Sequence, residues 1–122
     1  MDVDSRLGDV VAERAYEATQ ARGGEPREVL LRIGRPRVAP HLDGAWTCPV
    51  QIHGMDEDDV LEAVGIDAVQ ALYLALSMAG ARLTYSRNGS TITWLGGSEL
   101  GLPLPAPAAA AFDFGEGEDP EL

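Results

Sequence analysis

The 122-residue chain has no lysine and only one cysteine. A single thiol cannot close an internal disulfide or build a multi-cysteine zinc site. Positive charge is scarce, with nine arginines against twenty acids and a formal charge of −11. That balance excludes a general nucleic-acid binder, whose phosphate contacts need a cationic surface. It also argues against adsorption to an anionic membrane. No apolar run approaches the roughly 18 residues that a membrane span needs, and no basic stretch followed by an apolar core opens the chain. The expected location is therefore the cytoplasm. Gly-x-Gly-x-x-Gly, a Walker lysine and Gly-x-Ser-x-Gly are all missing, so the common nucleotide and hydrolase motifs do not apply.

What remains has the length of one domain and an apolar content of 45%, too high for a disordered chain. Negative charge is unevenly spread. Residues 1–54 carry a net −1, residues 55–102 a net −5 and residues 103–122 another −5. Composition changes at Pro103, where Pro103, Pro105 and Pro107 are followed by Ala108 to Ala111 and an acidic end. Proline at alternate positions removes backbone donors. The expected organisation is one domain over 1–102 and a Pro/Ala-rich acidic tail over 103–122.

Val10–Thr19 has a composition that allows a helix, but Val10, Ala12, Tyr16 and Ala18 also alternate. A strand is favoured, because Gly23-Gly24 then joins it to an antiparallel neighbour. The apolar runs Val29–Ile33 and Trp46–His53 predict two further strands. In the third, Trp46, Cys48, Val50 and Ile52 share one face, and Thr47, Gln51 and His53 share the other. Pro49 lacks a donor, so this strand is expected at a sheet edge or to bulge there. Asp67 and Gln70 form a capping-box pattern ahead of a helix, with Gln70 reaching back to the Asp67 amide and Gly80 as its stop. Asn88-Gly89 suits a type I′ turn, which predicts a hairpin pairing Tyr85 with Ile92 and Leu83 with Trp94. The expected fold is α+β, a single two-layer domain. Its mainly antiparallel sheet has about five strands, in the order β-β-β-α-β-β, with one long helix packed on one face.

At 100° per residue, Ile66, Val69, Leu72, Tyr73 and Leu76 form a stripe expected to cover the sheet. Leu74 and Met78 then point outward beside Ala71 and Ala75. A helix that is apolar nearly all round needs a cover on its outer side too. Three covers fit: the chain's own tail, with Leu102, Leu104 or Phe112 as plugs; a two-fold copy, giving a homodimer; or a different protein.

Candidate chemistry is thin. Cys48 and His53 fall on opposite strand faces, so neither a nucleophile–base pair nor a zinc site with His41 is expected. Asp56, Glu57, Asp58 and Asp59 lack the alternation and central glycine of a calcium loop. They fit the start of a short helix from Glu57 to Val64, or, with Glu62, a contact for an Arg- or Lys-rich partner. Arg35 and Arg37 open a loop to Gly44 and either offset nearby acids or, with His41 and His53, surround an anionic ligand.

The segments Ile33-Gly-Arg-Pro-Arg37, Trp46-x-Cys-Pro49, Ile52-x-Gly54, Gly65-Ile-Asp-Ala-Val-Gln-Ala-Leu72, Thr93-Trp-Leu-Gly96 and Leu100-Gly-x-Pro103 together resemble a family of small bacterial proteins of unknown function. The resemblance spans about residues 10–104 and implies a standalone domain. It transfers no catalytic residue.

These features predict a small acidic, non-enzymatic protein-binding module of the immunity or antitoxin kind, with no cofactor, metal or catalytic residue, that occludes a basic protein. Its contacts are expected at Ala71, Leu74 and Met78 and at Asp56–Asp59 and Glu62. The competing expectation is a ligand-binding or enzymatic domain using the Arg35–Gly44 loop and His53.

Overall fold

Apolar side chains at every second position give these segments one face to bury, and that period builds most of the sheet. The structure is a computed structural model describing residues 5–55, 60–85 and 89–104. Its strands are β1 (Val10–Thr19), β2 (Arg27–Gly34), β3 (Arg37–Ala39), β4 (Ala45–His53), β5 (Val60–Gly65) and β6 (Thr91–Thr93). One helix, α1 (Ala68–Thr84), and short 3-10 turns at Ser5–Leu7 and Pro40–Leu42 complete the described residues. All strand pairs are antiparallel. β4 lies between β5 on one side and β2 and β3 on the other, and β1 and β6 follow beyond β2. The fold is α+β, a single antiparallel sheet with one helix packed on it.

The core face carries Tyr16, Ala18, Val29, Leu31, Ile33, Cys48, Val50, Ala63 and Ile92. The helix closes it over β4 and β5, and Trp94, Leu100 and Leu102 pack against its remainder. Tyr16 donates to the Leu100 carbonyl at 2.8 Å. The Arg14 guanidinium stacks 3.9 Å from the Trp94 ring centroid and donates to the carbonyls of Leu100 and Gly101. This clasp holds residues 94–101 against β1. Leu7 is fully buried, and its carbonyl together with Pro49 occupies the space where a Cβ at Gly34 would lie.

Several expectations are corrected. The 83–94 hairpin does not form. α1 continues to Thr84, Leu83 is buried in the core, and β6 pairs with β1 instead. The proposed turn itself falls partly on residues 86–88, outside the described residues. The strand order is accordingly five strands, the helix, then one short strand. The stretch expected as a helix ending at Val64 is instead β5 from Val60, and Asp56–Asp59 lie outside the described residues. β4 is central, not an edge. Pro49 is tolerated because it sits in the gap between the β3 ladder, which ends at Thr47, and the β2 ladder, which begins at Val50. Asp67 caps the Gln70 amide at 2.8 Å as expected, but the Gln70 side chain accepts from the Ile66 amide instead of that of Asp67. Gly80 does not stop the helix. A Cβ there would lie 2.7 Å from the Pro103 carbonyl oxygen, so glycine serves a close crossing of the chain.

Candidate functional site

The orientation of α1 decides where an interface can be. Ala71, Ala75 and Ala79, spaced four apart, face the sheet with Leu83 and are essentially inaccessible. Small residues let the helix approach closely: a Cβ on Gly65, at the end of β5, would lie 2.5 Å from the Ala71 amide nitrogen. The larger side chains are thereby displaced to the outside. Ile66 is 81% exposed, Val69 76% and Tyr73 55%.

This overturns most of the expected orientation. Of the five residues assigned to the sheet, Leu76 does pack against the core and Leu72 sits at the margin, 36% exposed, but Ile66, Val69 and Tyr73 form the outward stripe. Ala71, assigned to the partner surface, is fully buried and can touch no partner. Met78 is half-buried against the core, and Leu74 sits at the margin, 36% exposed. The alanine spacing in the sequence was the signal that could have found this arrangement, because it marks a face too small to serve any purpose but close packing.

The outward stripe is only partly bare. Val69, Tyr73, Ser77 and Gly80 lie within one arc at 100° per residue. At Gly80 the chain itself supplies a cover, with Leu102, Pro103 and Leu104 in contact range, and Ser77 is buried as well. Residues 102–104 thus pack on α1 at Gly80, an arc of the helix apart from Leu74 and Met78, where the tail cover was expected; Phe112 lies outside the described residues.

The residues of the ligand reading are not brought together. Arg35 pairs with Asp9 at 3.7 Å, and its amide donates to the Asp9 carbonyl. Arg37 pairs with Glu62 at 3.3 Å and donates to the Arg6 carbonyl. Both arginines thus brace the N-terminal turn and β5 against the back of the sheet. Arg32 does the same for β1, binding Glu13 at 2.9 Å and Gln51 at 3.3 Å. His53 pairs in register with Leu30, five residues along β2 from Arg35, which separates the two by about 16 Å. His41 is exposed on the Pro40–Leu42 turn.

Cys48 is buried on the core face, and that burial pushes its thiol up to about 11 despite the opposing pull of Arg37. A protonated, inaccessible sulfur is a poor nucleophile. Among the described residues no three His, Cys, Asp or Glu side chains cluster as metal ligands would, and no helix is long and apolar enough to cross a membrane. An open groove of about 690 Å³ lies between Glu17, Pro26, Arg27, Glu28, Thr93 and Leu95. It collects none of the residues nominated from the sequence.

A one-sheet, one-helix α+β domain with a clasped C-terminal segment is the class this architecture defines. The chain belongs to the DUF6968 family, a domain of unknown function, whose family model matches residues 12–104 and so takes in α1 and nearly the whole sheet. No curated protein and no solved structure matches it.

Proposed function

We propose that the chain is a non-enzymatic protein-binding module of the immunity or antitoxin kind, which docks a basic protein on the first half of α1. The exposed stripe Ile66–Val69–Tyr73 carries this reading. Contiguous apolar surface costs free energy when left in water, and on a small soluble domain it marks an interaction site. An aromatic at its centre suits an anchor residue. The charge of −11 accelerates encounter with a cationic surface, while the apolar contacts slow dissociation. The competing ligand reading draws no support from its four scattered residues.

The test is co-purification from the source cell with tagged wild type and a Val69→Asp/Tyr73→Asp variant. Wild type is expected to retain a basic protein in stoichiometric amount, and the variant, with native-like circular dichroism, to lose it. A folded variant that retains the same protein overturns the reading.

A further inference from the structure

The segment that follows β6 is held in two different ways on either side of Gly101. Up to that residue it is locked. The Tyr16 hydroxyl and the Arg14 guanidinium donate to the Leu100 carbonyl at 2.8 and 3.1 Å, and Arg14 donates again to the Gly101 carbonyl at 3.0 Å. A Cβ on Gly101 would lie 2.5 Å from the Trp94 ring and 2.8 Å from an Arg14 nitrogen, so the clasp closes tightly on that residue. Beyond it the locking stops. Among the described residues, Leu102, Pro103 and Leu104 make no hydrogen bond. They rest on α1 at Gly80, where the Pro103 carbonyl and the side chains of Leu102 and Leu104 approach, and Leu104 stays half-exposed.

The seat beneath them carries a cost. Ser77 lies three residues before Gly80, on the side of α1 turned away from the alanines that face the sheet, and it is buried. Its hydroxyl has no hydrogen-bond partner among the described residues. A buried hydroxyl without a partner costs free energy that hydration returns. Closing therefore gains a few apolar contacts and forfeits the solvation of Ser77. Opposed terms of this kind belong to the low-stability end of a molecule, where segments open without global unfolding. Along the same arc the stripe continues, bare, through Tyr73 and Val69.

We propose that Leu102–Leu104 form a displaceable strap, anchored by the Arg14–Tyr16 clasp and opening beyond Gly101, that withholds the Ser77–Gly80 half of the α1 stripe. Opening hydrates Ser77 and joins the covered half to the bare one, which extends the apolar face from Val69 to Gly80. The strap is an autoinhibitory contact. Its own aliphatic side chains show what the seat accepts, so an aliphatic segment of the partner docked on Val69 and Tyr73 takes its place. In that last respect the proposal rests on the docking reading; the opening of the strap does not.

The experiment uses the full chain carrying Ser77→Cys, with Cys48 as an internal reference. Cys48 is fully buried on the core face, so its thiol reacts only from the unfolded chain. Both positions are alkylated with iodoacetamide under native conditions and read separately by mass spectrometry of peptic fragments. The thiol at position 77 is expected to react roughly a hundredfold faster than Cys48, because local opening takes less free energy than global unfolding. Adding Leu104→Ser should speed position 77 about tenfold further by removing apolar contact, and leave Cys48 unchanged. Equal rates at the two positions show that the strap leaves only on global unfolding, and overturn the proposal. Equal acceleration of both by Leu104→Ser places Leu104 in the core and overturns it too, as does reaction at position 77 at the rate of a free thiol, which means an uncovered face. The basic protein recovered by co-purification should bind Leu104→Ser about tenfold more tightly than wild type, because affinity scales with the open fraction. Equal or weaker binding overturns the withholding role. Capture of no protein by either chain overturns the docking reading, and the labelling rates still decide the strap.

Discussion

Along one stripe of α1, the first turns present Val69 and Tyr73 to water, whereas the later turns present Ser77 and Gly80 to the interior. The covered half is built from residues small enough for the chain to cross them, and Gly80 admits the Pro103 carbonyl where any Cβ would collide. The Ser77 hydroxyl has no hydrogen-bond partner among the described residues, which suggests that size, not polarity, fits a residue to that seat. The bare half carries large side chains that no described residue seals. Small residues mark where this protein binds itself; large ones mark where it has surface to offer.

The largest expected effect tests whether the covered half is core. Leu83 is 1% exposed and belongs to the central cluster. Truncating it removes apolar contacts and leaves a cavity. Leu83→Ala is expected to lower unfolding free energy by about 3 kcal/mol in urea denaturation. A loss below about 1 kcal/mol would remove Leu83 from the core and reopen the hairpin, in which it faced Trp94.

Next in size comes the seat itself. Gly80→Val places methyl groups where the Pro103 carbonyl and the Leu104 side chain lie. Valine has a better helix propensity than glycine, which works in the variant's favour. Overpacking is nevertheless expected to dominate, with a net loss of about 2 kcal/mol and faster proteolysis after Leu102. A variant more stable than wild type would show that the segment lies on the helix without depending on it.

Most of the sheet was legible from alternation alone. The faces of β4 follow the expected division, with Cys48 inward and His53 outward, because period two admits only one register once a side is buried. Two of the errors share a cause. Gly80 reads locally as a helix stop and Leu83 as a hairpin strand residue, yet the burial of Leu83 and the crossing at Gly80 are contacts between segments more than 15 residues apart. Local turn chemistry cannot register them. The helix was turned the wrong way because hydrophobicity ranks Val69 and Tyr73 above Ala71 and Ala75. What decided its orientation was the clearance above Gly65, a tertiary quantity. Of the candidate site, the existence of a surplus apolar face is readable from hydrophobicity, whereas its position on the helix is marked only by the four-residue spacing of Ala71, Ala75 and Ala79.

The smallest expected effect is the most informative about the bare half. Val69 and Tyr73 are exposed, so Val69→Ser and Tyr73→Ser should each change unfolding free energy by no more than about 0.5 kcal/mol. Both residues lie inside the helix, where serine is a comparable former to valine and tyrosine, so propensity contributes little to the difference. Urea midpoints measured beside those of Leu83→Ala and Gly80→Val set the two halves of the helix on one scale. If the serine variants instead lose 2 kcal/mol or more, Val69 and Tyr73 are covered in solution, and the contrast between the halves disappears. Repeating the measurement over a hundredfold range of protein concentration then locates the cover. A loss that grows with concentration assigns it to a second copy, because association stabilises by mass action. A loss independent of concentration assigns it to the same chain.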